Sequence, residues 1–473
     1  MRMADPHIRE YRGRHIHMIG IGGSSMSGLA RILQAQGYDL SGSDNLETYA
    51  TRALREAGIP VTIGHKPENV HGAALVLYTV AILPDNVERV EAARLGLPTI
   101  ERATLLGQLM EGAKTAIGVC GTHGKTSTTS MLAQALVVAG VDPSVHIGGS
   151  LDFIGGSTRT GKGDVFLTEA CEFNESFLHL KPTVAVITNI EEDHLDYFKD
   201  IDDIQRAFGR FLALLPPHGH AVGNGDDPRV IELLGSLACH RVTFGMGAHC
   251  DMRPVNLAYD SEGRGSFDLS WHGKNKGHVS LRVAGFFHVY NALATAAVAW
   301  VQGADMPAVC AALSDFVGAH RRFELTGEID GVKLYHDYGH NPTEMRNVLS
   351  VAKLQPHNRL WAVMQPHTYS RVKRLLADYF TCTRDADITL VTDIYAAREK
   401  DPGDIKAAHI IEGMRTAGIN AVHTPTFDDT EAYLRAHWQP GDLVLTMGCG
   451  NIDQLNEQMH AHEAEKASAH SPA

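Results

Sequence analysis

Short apolar segments alternate along most of the chain with longer segments in which apolar residues recur every three or four positions. The short segments predict buried strands and the longer ones predict amphipathic helices, because side chains repeat every 2 residues in a strand and every 3.6 in a helix. The order strand, turn, helix starts near residue 15 and returns near residues 115 and 333. The pattern therefore predicts an α/β protein with mostly parallel sheets.

The chain of 473 residues is too long for one ordinary core. We predict three domains, at residues 1–112, 113–320 and 321–473. The first and last have the order of a Rossmann-like domain, and the central one that of a P-loop ATPase with a mostly parallel sheet. The tail from about His460 is rich in Ala, Glu, Ser and His, and we expect it to be frayed.

The central domain begins with a candidate phosphate-binding turn. A strand-like segment runs into Gly121 and Gly124, followed by Lys125, Thr126 and a helical pattern. Small residues let backbone N–H groups approach an anion closely, and the start of a helix adds unpaired donors and its dipole. The spacing departs from GxxxxGK[ST], since Val119 stands five residues before Gly124. Even so, Lys125 is placed to neutralise β- and γ-phosphates and Thr126 to complete a Mg²⁺ shell.

Two further strand-like segments of this domain, 165–168 and 184–188, lead into polar residues. The carboxyl ends of parallel strands form the ligand crevice of such sheets. The first segment supplies Glu169 and the second supplies His194. A hard cation bound to phosphate needs only a few protein ligands, so these two beside Thr126 would suffice. A solvated acid at the end of a strand remains the alternative for Glu169.

A second glycine turn, at 20–23, separates the first strand from the first helix, and the next strand ends at Asp44. An acid at this position often holds a nucleotide ribose. Ser25 occupies the third glycine position of the dinucleotide fingerprint, so a mononucleotide diphosphate fits as well. An NAD(P)-dependent oxidoreductase remains an alternative, although that function does not explain the turn at Gly121.

Composition narrows the function further. Apolar residues make up 44% and charged residues 21%, as in globular enzymes. No apolar run approaches a membrane span and the N-terminus lacks an apolar signal core, so we expect a cytoplasmic protein without membrane insertion. The net charge of −13 argues against nucleic-acid binding. Seven scattered cysteines without a CxxC motif are interpreted as reduced thiols. We expect a monomer or homodimer.

Six ordered motifs resemble those of the Mur ligases of peptidoglycan synthesis, and the resemblance covers nearly the whole chain. The motifs are Gly-Thr-His-Gly-Lys-Thr at 121–126, Thr-Asn-Ile with Asp-His-Leu-Asp at 188–196, Asn-Gly-Asp-Asp-Pro at 224–228, Asn-Ala-Leu-Ala at 291–294, Arg-Arg-Phe-Glu at 321–324 and Asp-Tyr-Gly-His-Asn-Pro at 337–342. The glycine turn at 20–28 and Gln-Pro-His-Thr-Tyr-Ser-Arg at 365–371 resemble the members of the family that add L-alanine.

The resemblance implies that ATP phosphorylates the lactyl carboxylate of UDP-N-acetylmuramate. The amine of L-alanine then attacks the acyl phosphate, and phosphate leaves. The implied catalytic residues are Lys125, Glu169, His194 and Arg322. The implied ATP-binding residues are Gly121, Thr122, His123, Gly124, Lys125, Thr126, Ser127, Asn291, Arg322 and Asp337, the last on the ribose. The implied Mg²⁺ ligands are Thr126, Glu169 and His194. Gly22, Ser24, Ser43 and Asp44 would surround the UDP-sugar, and His340, His367, Tyr369 and Arg371 would line the amino-acid side.

Four positions depart from the pattern of the alanine-adding members. His288 replaces an Asn near adenine, Cys171 replaces an acid, Thr368 an Arg and Arg398 a Gly, so amino-acid affinity or specificity could differ. A ligase that recycles a tripeptide onto the same UDP-sugar is the nearest alternative, although its first loop is usually Gly-x-Cys-Gly-Thr. A nucleotide-binding paralogue without activity is a third alternative.

Overall fold

The computed structural model describes residues 6–193, 197–397 and 399–469, with side chains up to residue 466. The chain folds into two compact units. The first unit takes in the described residues up to Leu257 together with Ser266–Arg282 and Phe287–Phe316. The second unit contains Ala258–Gly265, Val283–Phe286 and the described residues from Val317 onwards.

The N-terminal part of the first unit contains nine regular elements. They are β1 (His15–Ile19), α1 (Ser24–Ala35), β2 (Asp39–Asp44), α2 (Tyr49–Glu56), β3 (Val61–Ile63), β4 (Leu75–Tyr78), α3 (Val87–Arg94), β5 (Thr99–Glu101) and α4 (Arg102–Met110). The strands form the first sheet in the order β3-β2-β1-β4-β5, and every pair is parallel. This is the Rossmann-like order that the sequence predicted. Because helices flank parallel sheets on both faces, β1 is buried along nearly its whole length.

The central part contains the second sheet. Its elements are β6 (Thr115–Cys120), α5 (Lys125–Val138), β7 (Ser144–Leu151), β8 (Gly156–Arg159), β9 (Val165–Glu169), β10 (Val184–Ile187), α6 (Ile201–Leu212), β11 (His220–Asn224), α7 (Pro228–Gly235), β12 (His240–Phe244), β13 (Met252–Tyr259), β14 (Arg264–Trp271), β15 (Lys274–Ala284), α8 (Phe286–Val301) and α9 (Met306–Asp315). The order of this central sheet is β15-β14-β13-β12-β11-β10-β6-β9-β7-β8. Strands β7, β9, β6, β10, β11 and β12 run parallel, so their carboxyl ends lie along one edge.

The first and central sheets of the first unit share one apolar core. Phe177 stacks on Phe211 with ring centroids 4.9 Å apart, and Phe208 meets Phe177 edge to face. The same core extends to Leu105 and Leu106 of α4. At Gly107 of α4 a Cβ would lie 2.0 Å from the carbonyl oxygen of His179, so this close approach requires glycine. Continuous packing therefore positions the two glycine turns relative to each other.

The second unit is built on the third sheet. Its elements are β16 (Glu324–Ile329), β17 (Val332–Asp337), α10 (Pro342–Ala352), β18 (Leu360–Met364), α11 (Tyr369–Arg374), α12 (Leu376–Tyr379), β19 (Ile388–Val391), α13 (Ala407–Thr416), β20 (Ala421–His423), α14 (Phe427–His437), β21 (Leu443–Met447) and α15 (Asp453–Ala469). The order is β16-β17-β21-β18-β19-β20, and only the β16–β17 pair of this sheet is antiparallel. Separate apolar clusters cover its two faces.

The structure confirms the predicted α/β fold class, with three sheets whose strands run mostly parallel. The predicted domain boundaries at 112 and 320 stay a prediction. The expectation of a frayed tail was wrong for its described part, because α15 continues through residue 460 to Ala469, and residues 470–473 lie outside the described residues. None of the described helices combines the length and the apolar character needed to cross a bilayer.

Candidate functional site

The turn predicted to bind phosphate lies between the strand β6 and the helix α5, as the sequence indicated. Gly121 has a φ of +133° and Gly124, which caps α5, has a φ of +83°. Such positive φ angles favour glycine. Space is also short, since a Cβ on Gly121 would lie 1.9 Å from Thr188 Oγ1 and a Cβ on Gly124 would lie 2.8 Å from Asn291 Oδ1. The turn therefore brings backbone N–H groups and the start of a 14-residue helix to one place.

Lys125, the first residue of α5, has an ion-pair partner that the sequence analysis did not assign. Its Nζ donates to Glu172 Oε1 at 2.9 Å and to the carbonyl oxygens of Gly121 and Thr122 at 2.7 and 2.9 Å. Burial lowers the pKa of the Lys125 ammonium, but the charges of Glu172, Cys171 and Asp193 and the hydrogen bond to Glu172 together raise that pKa by more. Lys125 is therefore a firmly charged cation at the turn.

Residues after β10 hold the turn in shape. The backbone N–H of His123 donates to Asn189 Oδ1 at 2.9 Å, and Asn189 Nδ2 donates to the His123 carbonyl at 3.1 Å. Thr122 accepts at its Oγ1 from the N–H of Glu191 at 2.9 Å. A hydrogen bond from His123 lowers the pKa of Glu191. This arrangement preorganises the cradle through the neighbouring strand.

The predicted metal ligands are described in part. Thr126 and Ser127 are buried in the first turn of α5. Glu169 ends β9, where it pairs in register with Val119 of β6, and it accepts at Oε1 from the N–H of Gly148 at 2.8 Å. A hydroxyl and a carboxylate suit a hard cation such as Mg²⁺, which prefers oxygen ligands. His194, the third predicted ligand, lies outside the described residues.

The glycine turn of the first sheet connects to Glu169, a predicted metal ligand. Ser24 Oγ donates to the carbonyl of Gly148 at 3.4 Å, and the N–H of Gly148 in turn binds Glu169. The N–H of Gly22 donates to Asp44 Oδ2 at 2.9 Å, which fixes the turn against the end of β2. Two hydrogen bonds therefore join the predicted sugar-binding turn to the predicted magnesium ligand.

Ser43 takes a different place from its three predicted companions. It is fully buried, and its Oγ donates to Glu88 Oε2 at 2.6 Å. Glu88 also accepts from Asn69 Nδ2 at 2.6 Å and lies 3.4 Å from His17 Nε2. Burial raises the pKa of Glu88, but the hydrogen bonds from His17, Ser43 and Asn69 outweigh burial and lower it to about 2. The sequence analysis missed this network. Ser43 also accepts at its carbonyl oxygen from the N–H groups of Gly20 and Ile21, so it holds the glycine turn through its backbone.

Helix α8 carries the residues predicted near adenine. Asn291 is buried, and its Oδ1 accepts from Thr128 Oγ1 of α5 at 3.2 Å. His288 is also buried, and its Nδ1 lies 3.4 Å from Asn291 Nδ2. Asn291 therefore ties α8 to the phosphate-binding helix.

In the second unit, Asp337 ends β17 and Arg322 precedes β16. Asp337 accepts from the N–H groups of Phe323 at 2.8 Å and Gly339 at 2.6 Å. Burial raises the pKa of Asp337. The charge of Arg322 and these two hydrogen bonds lower that pKa by less, so the pKa stays above its ordinary value. The guanidinium of Arg322 lies 5.1 Å from the ring centre of Tyr338. Arg322 and Asp337 therefore interact at one edge of the third sheet.

Three of the four residues predicted for the amino-acid side lie together in the second unit. The rings of His340 and His367 are 6.0 Å apart, and Arg371 Nη1 is 3.0 Å from His367 Nδ1. His340 is buried, with its Nδ1 3.2 Å from the carbonyl of Tyr338. Tyr369 begins α11, two residues before Arg371. Arg398, one of the departures, lies outside the described residues.

Comparisons with known proteins agree with this geometry. The sequence matches three family models: the Mur ligase family catalytic domain over residues 15–114, the Mur ligase middle domain over 119–299 and the Mur ligase glutamate ligase domain over 321–450. The UDP-N-acetylmuramate–L-alanine ligase of Alkaliphilus metalliredigens is 43% identical over 454 residues, which is 96% of this chain and 98% of that protein. The ligase of the same name from Caldanaerobacter subterraneus is 43% identical over 445 residues, covering 94% and 97%.

Solved structures give the same result. The crystal structure of UDP-N-acetylmuramate–alanine ligase from Thermotoga maritima superposes with a TM-score of 0.81 at 27% identity, covering 96% of this chain and 99% of that one. A murein peptide ligase from Psychrobacter arcticus superposes with a TM-score of 0.75 at 24% identity, covering 95% and 98%, and shares the fold.

Proposed function

This chain belongs to the Mur ligase family, and from that premise we propose that it joins L-alanine to the lactyl carboxylate of UDP-N-acetylmuramate at the expense of ATP. Relatives 43% identical over nearly the whole chain have this activity in their names. The structural observation that carries the proposal is the link Ser24–Gly148–Glu169, which joins the candidate sugar turn to the candidate magnesium ligand within one unit.

The chemistry explains why a cationic cradle is needed. A carboxylate is a poor electrophile, so one of its oxygens must first attack the γ-phosphorus of ATP and release ADP. The amine of alanine then forms a bond to the acyl carbon, while phosphate leaves and the nitrogen loses a proton. Both steps depend on holding reactants in line and offsetting negative charge. Lys125 and the N–H groups around Gly121 and Gly124 supply that positive potential.

Magnesium fits the oxygen donors present at the cradle. We propose Thr126 and Glu169 as ligands, with His194 as a third, and the ion would supply charge stabilisation to the phosphates. Glu169 is oriented by the N–H of Gly148. The roles of Lys125 and its neighbours Gly121–Ser127 as an ATP cradle are part of the same proposal.

We assign the remaining residues by their surroundings. Gly22 and Ser24 are proposed to contact the UDP-sugar directly, with Asp44 and the buried Ser43 as positioning residues. In the second unit, Arg322 is proposed as the phosphate clamp and Asp337 as the ribose ligand. The pair His340 and His367 with Arg371 is proposed for alanine and its carboxylate, since Arg binds carboxylates through paired donors. Tyr369 is retained as a candidate for the same side. ATP use and free thiols support a cytoplasmic location.

A phosphate-release panel tests the proposal. The full chain is incubated with ATP, Mg²⁺ and UDP-N-acetylmuramate, and L-alanine, glycine, L-serine or the tripeptide L-Ala-γ-D-Glu-meso-diaminopimelate is added separately. We expect phosphate release to depend on both the UDP-sugar and L-alanine, with UDP-N-acetylmuramoyl-L-alanine found by mass spectrometry. Phosphate release that requires the tripeptide would assign the recycling activity instead. If none of the four additions causes phosphate release, the proposal is contradicted.

A further inference from the structure

Three side chains with different donor atoms converge at the turn after β11. A carboxylate oxygen of Asp226, a ring nitrogen of His249 and the sulfur of Cys250 all lie within 4.8 Å of one another. Asp226 Oδ1 is 3.8 Å from Cys250 Sγ and 3.8 Å from His249 Nε2. All three residues belong to the first unit. We propose that they form a binding site for Zn²⁺, separate from the magnesium site at the nucleotide.

The donor set and its spacing both fit zinc. Zn²⁺ takes Cys, His and Asp ligands in a tetrahedron, in which donor atoms are about 3.5 Å apart. The two separations of 3.8 Å therefore need to shorten by only a few tenths of an ångström. Mg²⁺ and Ca²⁺ prefer oxygen donors alone, so a thiolate and an imidazole select a softer metal. The fourth position of the tetrahedron is left for water.

The backbone around these side chains is shaped to admit them. A Cβ on Gly225 would lie 2.5 Å from Cys250 Sγ, and a Cβ on Gly245 would lie 2.6 Å from Asp226 Oδ2. A Cβ on Gly247 would lie 2.3 Å from the His249 ring and 2.8 Å from Asp226 Oδ1. Alanine at any of these glycines would force a donor side chain to move.

The carboxylate of Asp226 is held by groups outside the cluster. Its Oδ2 accepts from the hydroxyl of Tyr290 at 2.9 Å and from the N–H of Met246, while its Oδ1 accepts from the N–H of Gly247 at 3.1 Å. Such outer hydrogen bonds orient metal ligands in proteins. Oδ1 is thereby directed at His249 and Cys250.

The site has an open entry and a defined change on binding. Cys250 is buried, but the side chain of His249 is 63% exposed, so a hydrated ion reaches the cluster from solvent. His249 Nε2 lies 2.9 Å from the carbonyl of Gly225, and a metal bond to Nε2 would replace that hydrogen bond. Tyr290 connects the site to α8 beside Asn291, so a bound ion would stiffen the support of the nucleotide cradle.

The test uses the full chain after removal of metals with a chelator and buffer exchange, with no nucleotide or Mg²⁺. Zn²⁺ is titrated against a chromogenic chelator to give stoichiometry and affinity, and Co²⁺ is used as a spectroscopic probe. We expect one tight Zn²⁺ site per chain and a thiolate-to-cobalt absorption band. Cys250→Ser and His249→Gln should each weaken that site by about 100-fold or more, and Cys250→Ser should abolish the band.

Cys239→Ser and His272→Gln are matched controls, because these residues lie in the first unit outside the cluster. Both should keep the site, and Zn²⁺ should raise the melting temperature of the parent and of both controls but not of Cys250→Ser. If Cys250→Ser fails to fold, the exposed His249→Gln decides alone. Equal Zn²⁺ titrations in all four variants, or a parent without a one-to-one site, would overturn the proposal.

Discussion

At the scale of single residues, the Lys125–Glu172 ion pair sets the charge at the proposed ATP-binding turn. The two residues are 47 positions apart, and their ion pair of 2.9 Å is nearly enclosed. A buried pair is costly to break by removing one partner, because the other charge is left without compensation. Glu172 therefore keeps Lys125 charged and in place at the turn.

We expect Lys125→Ala to lower the rate of phosphate release by about 100-fold or more, because the charge that offsets the transferring phosphoryl group is lost. UDP-sugar binding, measured by calorimetry, should persist. The variant also leaves Glu172 buried without its cation, so the double variant Lys125→Ala/Glu172→Gln is the control. It should recover thermal stability without recovering activity. Loss of sugar binding in both variants would mean that the site assignment is wrong.

A second residue-scale prediction concerns Glu169. Glu169→Gln keeps the size of the side chain and an oxygen that can accept from Gly148, but it removes the negative charge offered to a cation. We expect the Mg²⁺ concentration for half-maximal phosphate release to rise about 10-fold or more. Glu232→Gln, an acid on α7 that accepts from Gln205, is the control and should leave the titration unchanged. An unaltered Mg²⁺ titration in Glu169→Gln would argue against the ligand role.

At the scale of elements, the cradle depends on how β6 turns into α5. We expect Gly121→Ala to abolish nucleotide binding, because its φ of +133° is strained for alanine and its Cβ would collide with Thr188 Oγ1. Gly140→Ala at the other end of α5 is the matched control. Its φ is +77° with no atom within 4 Å of the new Cβ, so it should cost only about 1 kcal/mol and keep ATP affinity. Calorimetric titration with ATP separates the two, and equal affinities would contradict this account.

The same scale shows what the sequence could predict. The apolar run at 184–188 identified β10, because a strand buried on both faces leaves a continuous apolar signal. Helix α2 was missed, since its only buried residues are Thr51 and Leu54 and a Thr48–Thr51 capping box sets its start. The buried roles of Ser43 and Glu172 could not be predicted either, because their partners are 45 and 47 residues away and meet them only through tertiary packing.

At the scale of the whole molecule, two sheets of the first unit share one apolar core, and two hydrogen bonds join the proposed sugar-binding turn to Glu169. The net charge is −13, so protonation of carboxylates relieves repulsion as the pH falls. Buried acids that are ionised in the folded protein act in the opposite direction, because their protonation lowers the stability of the folded state as the pH falls. Glu88 is fully buried beneath the sugar turn, where its charge accepts several hydrogen bonds.

This buried acid gives the first unit a specific acid sensitivity. The pKa of Glu88 in the folded protein is about 2, against an ordinary value of 4.5. The folded state therefore favours the ionised form, and the resulting stability is present above pH 4.5 and is lost as the pH falls towards 2. The shift corresponds to at most about 3 kcal/mol. We expect Glu88→Gln to be less stable at pH 7 and to have a flatter dependence of unfolding free energy on pH between 3 and 6.

Urea unfolding followed by circular dichroism at several pH values measures this slope. Glu91→Gln on the same helix α3 is the control. Hydrogen bonds from Arg94 and His71 also lower the pKa of Glu91 to about 2, but both partners are exposed, so solvent screens the pair and salt weakens it. The dependence of unfolding free energy on pH in Glu91→Gln should therefore stay close to that of the parent in 0.5 M salt.

Because Ser43 loses a charged acceptor only in Glu88→Gln, that variant alone should also raise the KM for UDP-N-acetylmuramate. Equal pH slopes for Glu88→Gln and the parent would show that this buried carboxylate does not control the acid stability of the unit.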